Sequence, residues 1–136
     1  MNQAKDRGDL NAESTADTEA SRLAGLEQIA GVIWMIIGIL QILAFVPFVF
    51  LFGYGFALLF VGIWNVYWAR QRLTISKVIM SRAPGIPTVF EQHLGMTILF
   101  IFINLFFGGV IGVIGCFFDL YVRSQVLKSR SIFEQK

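Results

Sequence analysis

The sequence predicts an all-α integral membrane protein in which four transmembrane helices form two tandem helical hairpins. Three observations predict this. Gln28 to Ala69 and Gln92 to Phe118 contain no Asp, Glu, Lys or Arg, and about 20 apolar helical residues cross a hydrocarbon core about 30 Å thick. Lys and Arg fall in the N-terminal segment, the Arg70–Arg82 stretch and the tail, which the positive-inside rule puts on one side only if the second apolar block turns back. The ends of the two blocks also match. Leu26-Glu27-Gln28 corresponds to Phe90-Glu91-Gln92, and Asn65 to Leu73 corresponds to Asp119 to Leu127 with Tyr, Gln and Leu in register.

Residues 1–22 carry five acids (Asp6, Asp9, Glu13, Asp17, Glu19) against Lys5, Arg7 and Arg22 and almost no large apolar side chain. They read as a mobile polar tail, helical near the membrane from Ala16 onward. No apolar run precedes Leu23, so no cleavable leader is expected. The membrane domain is 23–130. Its first hairpin, 26–73, places helices over 26–46 and 53–73, with Pro47 and Gly53-Tyr54-Gly55 as the turn breakers.

Residues 74–87 form a cytoplasmic linker, either an extension of the preceding helix or a short surface helix. Pro84-Gly85-Ile86-Pro87 ends it, and Pro87 suits a first helical turn. The second hairpin, 88–128, places helices over 88–106 and 109–128. Residues 129–136 form a C-terminal tail.

Polar groups within the apolar blocks are the candidate functional residues, because hydrocarbon leaves them no other partner. Asn65 shares a face with Gly62 and Ala69, and Gln41 lies deep enough to bridge helices. Asn104 either bridges helices or terminates one beside Gly108-Gly109. Asp119 shares a face with Gly112 and Gly115 and precedes Arg123 by one turn, the orientation that favours an ion pair. Gly108, Gly112 and Cys116 form a small-residue stripe for close packing, within the hairpin or between protomers. Glu27 and Glu91 each begin a helix, where the dipole and interfacial water suit a carboxylate. His93 is the single histidine and has no second ligand in view. Trp64, Tyr67, Trp68 and Tyr121 resemble interfacial belts.

Hydrolase elbows, phosphate-binding loops and HExxH are absent from the sequence. One cysteine rules out a disulfide within the chain, and the scattered basic residues make no nucleic-acid footprint. The expectation is a protein without enzymatic activity, cofactor or metal. Gly62-Ile63-Trp64-Asn65, with Gly38-Ile39-Leu40-Gln41 before it and the Gly-rich Gly108–Asp119 segment after it, resembles uncharacterised small polytopic membrane proteins of bacteria over about residues 26–130. That resemblance implies a bacterial cytoplasmic membrane and no particular activity.

The leading functional expectation is an accessory subunit or self-assembling scaffold, whose partners are the lipid bilayer and another membrane protein or copies of itself. A small oligomeric channel or transporter around Gln41, Asn65, Asn104 and Asp119 is the alternative. A membrane-shaping hairpin protein is the third. Both termini are expected in the cytoplasm.

Overall fold

A computed structural model describes the backbone of residues 2–50, 53–107 and 109–134, and the side chains of 10–50, 53–106 and 111–134. Every element in it is helical: α1 (Asn2–Phe48), α2 (Tyr54–Met80), α3 (Ile86–Gln92), α4 (Leu94–Phe107), α5 (Gly109–Lys128) and α6 (Ser131–Glu134). α1 is long and apolar enough to cross a membrane; α3 and α4 together pass the same test as a pair bent by 46°. Among the described residues no other helix passes, so four crossing helices are not established. Glycines, aromatics and Asn65 dilute the apolar stretch of α2, and three glycines dilute that of α5.

α1 is one unbroken helix. Residues 1–22, expected as a tail, are helical from Asn2. Its buried positions run Ala16, Ala20, Leu23, Ala24, Glu27, Ala30, Gly31, Trp34, Ile37, Gly38 and Gln41, the three-and-four spacing of one helix face. The opposite face exposes Ile29, Val32, Ile36, Ile39, Leu40 and Leu43. α2 returns antiparallel. The two backbones nearly touch at Gly38 and Gly62, where a Cβ on either residue would lie 2.8 Å from the other's carbonyl oxygen. Gly53, at φ 77°, makes the turn into α2, a conformation that costs a residue with a Cβ about 1–2 kcal/mol.

α2 continues to Met80, so the segment after Leu73 extends the helix and does not lie as a separate surface helix. Arg82 then takes the left-handed conformation, φ 53°, and Pro84 follows where a helix cannot continue. Ion pairs from Arg82 to Asp17 (3.4 Å) and Glu13 (4.0 Å) tie this corner to α1.

The helix expected over 88–106 is broken. α3 and α4 meet at His93 with a 46° bend. The Phe90 carbonyl, which would accept the Leu94 amide in a continuous helix, accepts Nε of Arg123 instead (3.0 Å). A side chain inserted into the helical ladder is a recognised cause of kinks. α5 runs as expected, antiparallel to α4 and packed on α1. Residues 129–136 are not wholly a free tail, since Phe133 on α6 is buried with Leu23, Ala24 and Ile79. A second core joins Trp34, Ile37, Ala69, Phe100 and Cys116.

Candidate functional site

Charge is concentrated between the two cores. α1 supplies Glu27 and, two turns on, Trp34; α2 supplies Arg72; α5 supplies Asp119. All four are buried. The Arg72 guanidinium lies between the carboxylates, with Nη2 donating to Glu27 Oε2 at 2.8 Å and Nη1 2.6 Å from Asp119 Oδ1. The second contact is one of charge, off the line of an aligned hydrogen bond. Trp34 donates its indole N–H to Asp119 Oδ2 at 2.8 Å. The Nε of Arg72 has no hydrogen-bond partner among the described residues.

Beside this cluster is a cavity of about 40 Å³. Glu27, Arg72, Asp119 and Arg123 line it with His93 and Thr97, and Trp68, Ile75 and Phe90 complete its walls. One water needs about 10–15 Å³ and polar partners, so there is room for two or three. The broken helix forms one side of it. His93 sits at the break with its ring edge-on to Trp68, centroids 5.4 Å apart. Thr97 Oγ1 donates to the His93 carbonyl.

The expected Asp119–Arg123 ion pair is not formed. Asp119 is engaged by Arg72 and Trp34, while Arg123 binds the Phe90 carbonyl. One-turn spacing allows an intrahelical pair worth only a few tenths of a kcal/mol, and a buried guanidinium from another helix outcompetes it. Glu27, read as interfacial, is fully buried.

The remaining predicted residues lie elsewhere. Asn65 donates from Nδ2 to Gln41 Oε1 at 2.7 Å, a buried bond across the first hairpin near the Gly38–Gly62 contact. Asn104 neither bridges helices nor ends α4; its amide donates to the Phe100 carbonyl one turn back (3.0 Å). Gly112 lies against that side chain, a Cβ there falling 2.6 Å from Asn104 Oδ1, so it packs within the second hairpin. Gly108 lies outside the described residues. Cys116 is buried in the second core. No group of three or more His, Cys, Asp or Glu among the described residues could hold a metal ion.

Sequence reasoning missed Arg72, which it grouped with the basic linker. The signal was present on α2: Asn65, Ala69, Arg72, Ser76 and Ile79 recur at helical spacing and are all buried, whereas Arg70 and Lys77 fall on the exposed face. The chain matches no protein-family profile, no curated protein and no solved structure.

Proposed function

We propose that this chain is a small non-enzymatic integral membrane protein that moves a small cation through the site built on Glu27, Arg72 and Asp119. Support for the membrane setting comes from an inverted surface. Ile36, Leu43, Phe60, Ile63, Phe102, Leu105, Ile114 and Phe117 face outward on four helices, while the carboxylates and Arg72 turn inward. The observation that carries the transport reading is the pairing of two buried carboxylates with a single guanidinium beside a small cavity at a broken helix. Ionisable groups in a membrane protein's interior mark ion and substrate paths, and interrupted helices line such sites.

In this reading the two hairpins cross a bacterial cytoplasmic membrane with both termini in the cytoplasm. Reporter fusions at Lys136 and within residues 76–84 should then give the same cytoplasmic signal. Opposite signals would leave three crossings and remove the arrangement.

Function is tested in liposomes. Purified protein under an imposed potential should carry cation flux, reported by a voltage-sensitive dye, and Asp119→Asn should abolish it while the protein still elutes as folded. Flux no greater than in empty liposomes would leave the second reading: an accessory or self-assembling subunit whose outward apolar faces meet lipid and a partner's helices. Supporting that reading is the run of exposed apolar side chains along α1 from Ile29 to Val46. A membrane-shaping role has no comparable support, since Tyr54 donates to the Phe106 carbonyl (2.7 Å) and so ties the tips of the two hairpins together.

A further inference from the structure

Glu27 and Asp119 form a clamp from separate helices, and the group they hold is a planar nitrogen cation tethered to a third. We infer that this clamp takes a free monovalent cation bearing N–H donors, a guanidinium or primary ammonium ion, in exchange for the Arg72 side chain. The inference rests on the transport reading and names the chemical class of its substrate.

Three observations carry it. The first is charge. Two carboxylates face one guanidinium, and Arg123, although it lines the same cavity, makes no ion pair with either among the described residues; its Nε is spent on the Phe90 carbonyl. Arg123 still carries its charge at the cavity wall, so the lining as a whole balances, but within the clamp itself two carboxylates hold a single cation. The second is fit. Each carboxylate presents one oxygen to a different guanidinium nitrogen, the arrangement that suits forked N–H donors, yet Arg72 fills the site imperfectly: its Nε is buried without a partner and its contact to Asp119 is unaligned. The third is room. The cavity of about 40 Å³ adjoins the clamp, and the rings of Trp68 and Phe90 line it, surfaces that attract cations desolvated against them.

A tethered occupant competes with a free one. The apparent affinity of the wild type is lowered by the fraction of molecules whose clamp is filled by Arg72, and removing that side chain lifts the penalty. The probe is methylguanidinium chloride, titrated by calorimetry and thermal unfolding into the full-length chain in mild detergent. Sodium chloride and tetramethylammonium chloride at equal ionic strength are the controls. Saturable binding is expected in the wild type, lost in Asp119→Asn, and at least about tenfold tighter in Arg72→Ala. If Arg72→Ala does not fold, Arg72→Gln replaces it, and the comparison of wild type with Asp119→Asn decides alone.

No saturable binding to the wild type overturns the inference. So does binding that survives Asp119→Asn, or equal binding of tetramethylammonium, which has no N–H to donate. Binding to Arg72→Ala but not to the wild type also overturns it, since Arg72 is then a permanent occupant. Cation flux without methylguanidinium binding discards this substrate class and keeps the transport reading; binding without flux keeps the site and discards transport.

Discussion

Glu27 and Glu91 occupy matching places in the two halves of the sequence, yet they live in opposite surroundings. Glu27 is sealed in the bundle against Arg72. Glu91 is exposed and meets the equally exposed Arg130 at 2.9 Å. The helix carrying Glu27 runs on past it in both directions, so α2 and α5 can close around it. The helix carrying Glu91 breaks two residues later, and its neighbour across the repeat is different. In the register that pairs Asn65 with Asp119, Arg72 corresponds to Val126, which is buried in the first core. Arg123 corresponds to Ala69, buried in the second. Each half thus turns one arginine of its returning helix inward, at different heights. Two helical hairpins with similar ends differ in that one seals its first carboxylate in the ion cluster and the other bends beside its own.

The largest difference is expected on removing the arginine partner of each glutamate, Arg72 for Glu27 and Arg130 for Glu91. Arg72→Met should cost about 3–5 kcal/mol, because it strands two buried carboxylates. Arg130→Met should cost less than about 1 kcal/mol, the range of exposed pairs. Thermal unfolding in mild detergent separates the two, and equal losses would mean that the Glu27 cluster is solvated.

A double-mutant cycle sharpens the same point at Asp119. Coupling between Asp119→Asn and Arg72→Gln should reach about 2 kcal/mol, within the span seen for contacting charged groups. Asp119→Asn with Arg123→Gln should be additive to within about 0.5 kcal/mol. The reverse ranking would restore an ion pair between neighbours on α5.

Glycine substitutions compare the hairpins themselves. At Gly38 a methyl group meets the backbone of Gly62 and Val66, so Gly38→Ala should cost about 1–3 kcal/mol as overpacking that backbone cannot relieve. At Gly112 it meets the buried Asn104 side chain at Oδ1 (2.6 Å) and at Cβ (2.9 Å), and rotation of that side chain cannot clear the Cβ; Gly112→Ala should cost a comparable amount, while Gly112→Leu should disrupt the second hairpin. The smallest change is Gly25→Ala. Nothing lies within 4 Å of that position, and a mid-helix alanine should stabilise by about 0.5–1 kcal/mol. A Gly112→Leu protein that elutes as the wild type does would separate α4 from α5.

Much of the helical layout was legible in the sequence. The Gly62–Asn65–Ala69 face marks the close contact of the first hairpin, the Gly53-Tyr54-Gly55 cluster its turn, and the Gly109–Lys128 helix has the expected bounds. Legibility failed where a residue's partner is distant in sequence. Arg72 lies beside Arg70 and Lys77 in a basic run, and only its place on the Asn65–Ala69 face betrays it. The break at His93 has no local cause, since its origin is an arginine on α5 that reaches a carbonyl on α3. Asp119 was singled out correctly and given the wrong partner, because proximity along one helix says nothing about a third helix arriving from the side.

The length of α1 sets a mechanical property of the molecule. At 1.5 Å per residue its 47 residues span about 70 Å, whereas a bilayer with its headgroups is about 40–45 Å thick. In the proposed setting roughly a third of this rod stands clear of the lipid, gripped at its side by Arg82. Glu27 sits near the midpoint of the rod. Because the helix has no break, the polar overhang and the buried Glu27 belong to one continuous rod, and what holds the overhang in place also helps to fix the height of the ion cluster.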